Sequence, residues 1–142
     1  MKIYQSKYAK LNGSSYLDIE RKARKIYLTE VKRTKRNPYV RSKYFNGDKV
    51  FLKLFWDHLH QKHRSDRERR LIYYQCALDT IRHNAISPEI KRNPNNPKEV
   101  VFRFQAKTKS DDSFYVQVKQ DKKGSKHFMS VFPWKQKSDF AG

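Results

Sequence analysis

VVFRFQAK, residues Val100–Lys107, is the stretch that decides the fold. Its apolar residues alternate instead of recurring every third or fourth place. Val100, Phe102, Phe104 and Ala106 share one face of an extended chain, and Val101, Arg103, Gln105 and Lys107 share the other. Two similar runs follow. In FYVQVKQ, Phe114–Gln120, the residues Phe114, Val116 and Val118 alternate with Tyr115, Gln117 and Lys119. In HFMSVFP, His127–Pro133, alternation turns Met129 and Val131 towards a core and Phe128, Ser130 and Phe132 away from it. Polar segments at Thr108–Ser113 and Asp121–Gly124 fit the turns between them. The C-terminal part is therefore expected to be an antiparallel meander.

Upstream of Val100 the period is helical. Ser15 stands three residues before Asp18, a capping spacing, and Tyr16, Ile19, Ala23, Ile26 and Tyr27 then mark one helical face through about Arg33. Asn37-Pro38 stops that helix, and Asn46-Gly47 signals a turn. Asp48 suits the N-cap of a second helix over roughly Lys49–Lys62. Ser65 and Glu68 form a capping-box pattern for a third, roughly Asp66–Asn84, with the stripe Leu71, Tyr74, Leu78 and Ile81. Ala85–Glu99 holds three of the five prolines and reads as a long loop. Helices followed by strands predict an α+β fold, with N-terminal helices packed on one face of a small curved antiparallel β-sheet. The 142 residues suffice for one domain. Within it, 1–47 is a basic N-terminal extension with one helix, 48–134 a core of two helices and three strands, and 135–142 a frayed tail.

Lys and Arg number 33 against 14 acids, a formal net charge of +19. Such a field draws in polyanions. No run of ~18 apolar residues exists to span a bilayer, so membrane is not an expected partner. Nine Tyr, nine Phe and two Trp offer rings on which bases stack, which favours nucleic acid. The single cysteine, Cys76, permits no internal disulfide and sits in an apolar run, where it reads as a small buried hydrophobe. The start, MKIYQSKYAK, lacks the apolar segment of a secretory signal, and the expected location is the cytoplasm.

Chemistry concentrates in FWDHLHQKHRSDRERR, Phe55–Arg70. His58 continues the helical stripe of Val50, Phe51, Leu54 and Phe55, and Lys62, His63, Arg64, Arg67 and Arg70 follow it. Imidazole titrates near neutral pH, and guanidinium grips phosphate in a planar fork. The plainer reading is a packed histidine beside a solvated charge run. His58 and His60 point in nearly opposite directions on a helix, so no metal site is expected. The acids are scattered, no Walker loop, GxGxxG or GxSxG occurs, and no cofactor is expected. RNA needs less than these provide. Its own 2′-hydroxyl is the nucleophile, so a base, an acid and cations that stabilise the phosphorane are sufficient.

At this point the chain resembles the barnase–EndoU–colicin–RelE ribonuclease superfamily, phage-type members and the colicin D nuclease domain above all. The features are a histidine-bearing helix, a second helix with a Pro-bounded exit at Ile86-Ser87-Pro88, and three strands ending in an F-x-S-x-F-like motif. The resemblance covers about Val50–Trp134. It implies helices on a small curved antiparallel sheet and metal-independent RNA cleavage, often of tRNA or ribosome-bound RNA. It also implies a toxin or mobile-element setting, with an antitoxin or immunity protein as partner. The family's helical histidine falls on His58, with His63 as a rival, and its neighbouring cation on Lys62. The first-strand basic residue falls on Arg103, and the last-strand serine and aromatic on Ser130 and Phe132, where colicin D has tryptophan.

The resulting expectation is a catalytic set of His58, Arg103, Lys119 and Ser130. RNA would be held by Lys62, His63, Arg67, Arg70, Lys107, Tyr115, Phe132 and Trp134. Two other classes stay open: a non-catalytic RNA-binding module that uses the basic-aromatic sheet face, and a DNA-binding accessory protein.

Overall fold

The structure, a computed structural model, describes residues 2–134. In chain order these form β1 (Tyr4–Gln5), α1 (Tyr16–Thr34), β2 (Tyr39–Ser42), β3 (Asp48–Phe51), α2 (Lys53–Leu59), α3 (Arg64–Leu71), α4 (Tyr74–His83), β4 (Glu89–Asn93), β5 (Asn96–Lys107), β6 (Ser113–Gln120) and β7 (Lys126–Pro133). The expected frayed tail, 135–142, lies outside the described residues. The fold is α+β, with helices against one face of a curled sheet.

The sheet order is β1-β5-β6-β7-β3-β2, with β4 also on β5. The sheet is mixed rather than purely antiparallel, because β1 runs parallel to β5 and β3 parallel to β7. Four of its strands, β1 to β4, lie where the sequence suggested none. β1, β2 and β3 are two, four and four residues long, too short to register as alternation. So 1–47 is more than a one-helix extension; it supplies an edge strand at each end of the sheet. The Asn46-Gly47 turn joins β2 to β3 as read, with both residues at positive φ (57° and 88°), where Gly47 has no Cβ to clash. The expected loop 85–99 is instead mostly hairpin. β4 is exposed almost throughout, so it carries no hydrophobic pattern.

Two helix expectations shift for local reasons. Asp48 begins β3 and pairs with Lys126 at 3.0 Å instead of capping, and α2 starts only at Lys53. The third helix breaks at Ile72–Tyr73, where the Tyr73 N–H turns back to the Arg70 carbonyl (3.1 Å). The break frees the Ile72 carbonyl to accept from the Leu11 N–H at 2.8 Å, which seats the N-terminal segment. The cap is His63, and Ser65 Oγ lies 3.2 Å from its Nδ1, so the Ser65–Glu68 box is not used. Ser15 does cap α1, accepting from the Asp18 N–H at 3.3 Å.

β7 contains the sharpest departure. Gln117 pairs with Ser130 but Val118 pairs with Phe128, so Met129 is an extra residue in a bulge. The extra residue reverses the parity of everything before it. Phe128 is buried in the core, not turned away, and Met129 lies on the open side. Inside, Phe128 stacks on Phe55 of α2, ring centroids 4.6 Å apart and 5° from parallel. Trp56 Nε1–H donates to the Tyr74 hydroxyl at 3.3 Å. Glu30 of α1, 4 % exposed, binds Arg82 of α4 at 2.6 Å. Cys76 is buried as expected, and burial pushes its thiol up to about 11. Among the described residues no helix is long and apolar enough to cross a membrane.

Candidate active site

The site forms where the sheet ladder runs out. β3 pairs with β7 only at Lys126 and His127. Beyond them the flank of β7 is met by α2 and α3, and Arg70 Nη1 donates to the Val131 carbonyl at 3.3 Å. Between helices and strand lies a cleft of about 200 Å³ lined by His58, Lys62, Arg70, Gln117, Met129, Ser130 and Phe132. Five of these were expected site residues, drawn from segments that sequence separates widely.

Each is held by its element. Phe55, Trp56 and Leu59 are buried and fix α2, and His58, half-buried between them, is turned to the cleft. Lys62 follows the helix end, where its N–H donates to the Leu59 carbonyl (3.0 Å) and its own carbonyl accepts from Arg67 Nε (3.0 Å). Arg70 is fastened from behind by Asp66 Oδ2, 3.1 Å from its Nε, and its guanidinium lies 5.6 Å above the Phe132 ring. Partial burial pushes the Asp66 carboxyl up, but Arg69 and Arg70 outweigh it and hold the carboxyl below its ordinary value.

On the sheet, Arg103, Gln117 and Ser130 are register partners in adjacent strands. Gln117 lies 2.8 Å from Ser130 Oγ. Its amide fits both neighbours in one orientation only, with the oxygen towards Arg103 Nη2 and Nε (3.1 and 3.2 Å) and the NH₂ towards Ser130. The reverse would aim an NH₂ at a guanidinium, which has no acceptor. In the satisfied orientation Ser130 accepts from Gln117, and its own proton is free to be donated into the cleft. Arg103 also packs over Tyr115 and Phe132, at 5.5 and 5.7 Å. It therefore stands behind the cleft, linked through Gln117, rather than in its lining.

The other expected residues lie elsewhere. Lys119 turns towards Glu99 (3.8 Å) and lines a neighbouring groove. Lys107 pairs with Ser113 at the end of β5 beside β1. His63 is the exposed N-cap of α3, so of the two rival histidines His58 alone lines the cleft. Arg67 supports the Lys62 carbonyl. Tyr115 reaches the rim against Phe132, with centroids 5.6 Å apart, and Trp134 is exposed past the end of β7. Gln117 and Met129 were missed. Gln117 stood on the correct face but carried no charge to attract notice, and Met129 was assigned to the core because the bulge was not visible.

Among the described residues the charged groups lining the cleft are all basic, which favours an anion there. Among the described residues no three His, Cys, Asp or Glu side chains gather as a metal site would need. No known protein family, curated protein or solved structure matches the chain.

Proposed function

We propose that this cleft cleaves RNA by attack of the ribose 2′-hydroxyl on the adjacent phosphate, as an endoribonuclease that needs no metal. The observation that carries the reading is the convergence of His58, Lys62, Arg70 and Ser130 on one cleft without a lining carboxylate. In the reaction the 2′-oxygen forms a bond to phosphorus and the bond to the 5′-oxygen breaks. His58 takes the 2′-hydroxyl proton or delivers a proton to the leaving 5′-oxygen, and water in the open cleft carries the other of the two protons. Lys62 and Arg70 stabilise the charge on the phosphorane, and the free Ser130 proton bonds a non-bridging oxygen. Arg103 fixes Gln117 and adds positive field.

The superfamily resemblance belongs to this proposal. So do a toxin or mobile-element role, a tRNA or ribosome-bound target, an antitoxin or immunity partner and a cytoplasmic location. The test is total RNA incubated with the purified protein in EDTA. Fragments ending in 2′,3′-cyclic phosphate are expected, and one 2′-deoxy substitution at the cut site should block that cut. RNA that stays intact while bound tightly sinks the enzyme. The reading that would then hold is an RNA-binding module, which the Arg103–Tyr115–Phe132 cluster on the open sheet face favours in its own right.

A further inference from the structure

The open face of the sheet continues past the cleft onto strands that the sequence did not suggest. Val40 of β2 and Val50 of β3 are buried, so their neighbours Tyr39, Arg41, Lys49 and Phe51 take the other face. Tyr39 pairs with Phe51, and Phe51 with His127 of β7. Their rings form a chain, with centroids 6.2 Å apart for the first pair and 5.7 Å for the second. Lys49 Nζ stands 4.7 Å and Arg41 Cζ 5.4 Å from the Tyr39 ring centre, and Arg41 is anchored by the Gly47 carbonyl at 3.0 Å.

Tyr39 is also the shared wall of two clefts, of about 390 and 360 Å³. Arg33, Arg41 and Arg82 border the first, and Lys35, Arg36 and Lys49 the second. Among the described residues the one carboxylate lining either is Glu30, and its charge is taken by Arg82 at 2.6 Å and Arg33 at 3.6 Å. A phosphate here meets cations with no free negative charge opposing it. Two inter-strand steps, about 10 Å, separate β2 from β7, and the run from His127 to Ser130 along β7 adds about 10 Å, so one strand of several nucleotides spans both places.

We propose that the Tyr39 corner is a second RNA-contact site, which binds unpaired nucleotides flanking the position in the cleft. A base stacks on the Tyr39–Phe51–His127 row, and Arg41 and Lys49 hold the phosphates beside it. The occupant is single-stranded, because rings on a sheet face stack only on bases that a duplex does not enclose. The inference rests on the RNA reading above but does not need cleavage.

The experiment uses the full chain and fluorescein-labelled 2′-O-methyl oligouridines, which lack the nucleophile, of about 3 and about 12 nucleotides. Tyr39→Ala should weaken binding of the longer probe by about fivefold to 100-fold and leave the shorter unchanged. Tyr39→Trp should keep wild-type affinity, which separates lost stacking from lost folding. Arg41→Ala with Lys49→Ala should weaken the longer probe and flatten its log–log salt slope by about 1.4. Wild-type affinity for the longer probe in Tyr39→Ala and in the double variant overturns the site. So does an equal loss for both probes, or a duplex of the same length that binds as tightly and suffers equally. Poly-glutamate binding with the same Tyr39 dependence would assign the corner to an acidic protein instead. A chain that fails the EDTA cleavage test but shows these affinities fails as an enzyme and keeps the site.

Discussion

The two halves of β7 have different neighbours. Lys126–Phe128 is paired with β6 on one side and, at its first two residues, with β3 on the other. Past the bulge residue Met129, Ser130–Pro133 is paired with β6 alone, and its second side faces α2 and α3. The first half is sheet interior, and Phe128 fills the core. The second borders a cleft, which Met129, Ser130 and Phe132 line beside basic groups. The bulge at Met129 is the hinge between them. It lets Phe128 and Val131, three apart, both point inward while Ser130 meets Gln117 outside. A strand whose ladder stops halfway supplies a rigid wall and an accessible edge at once, which a fully paired strand does not.

If the two halves divide the labour this way, substitutions should divide too. The largest effect is expected on the cleft side. His58→Ala should lower the cleavage rate by about 10²–10⁴ while RNA affinity stays nearly intact, since a proton-transfer group acts mainly in the transition state. Single-turnover rates and a binding titration on the same RNA check this, and a parallel loss of affinity would make His58 a binding residue. On the core side, Phe128→Ala should cost about 3–5 kcal/mol of stability by removing the ring stacked on Phe55. Phe132→Ala, at the cleft, should cost far less. Urea denaturation of the two variants measures it, and equal costs would erase the distinction between the halves.

The same contrast explains what the sequence did and did not disclose. β5 and β6 were legible because long strands with one buried face must alternate, and α1 because Ser15 announces its start. His58 was legible from the cations beside it and from only half of its stripe, because Leu54 and Phe55 share α2 with it whereas Val50 and Phe51 belong to β3. β2, β3 and β4 were hidden by brevity and charge; Asp48-Lys49 at the start of β3 mimics a cap and a first helical turn. The bulge was hidden for a deeper reason. One inserted residue leaves composition unchanged and reverses parity, so only the partner strand reveals it. The cleft's charge was thus foreseeable, whereas its frame, Gln117 and Met129, depended on register.

A smaller effect should sharpen the role of register at Gln117. Gln117→Leu removes the bond to Arg103 and the donor to Ser130, and should slow cleavage by about tenfold to 100-fold. Gln117→Glu should be slower still. A carboxylate suits Arg103 but captures the Ser130 proton, turns it away from the cleft and sets a negative charge beside the phosphate. Rates for the pair decide it: if Gln117→Glu is the faster of the two, the Ser130 proton is not what the cleft uses.

The smallest effect concerns Asp66, which fastens Arg70 to its place. Its carboxyl is held below the ordinary value because Arg69 and Arg70 outweigh the cost of partial burial. A carboxyl whose folded value is depressed adds stability above its unfolded pKa of about 3.9, and that stability disappears as pH falls through the lower folded value. Asp66→Asn should therefore be less stable than wild type at neutral pH, and by less than about 1 kcal/mol, since the pair is partly exposed. The difference should shrink below about pH 4 and vanish once wild-type Asp66 is itself protonated. Denaturation curves from neutral to acid pH measure it. A difference that persists unchanged at the acid end would mean that Asp66 acts through packing, and that the Arg70 contact to Val131 suffices to hold the cleft wall without it.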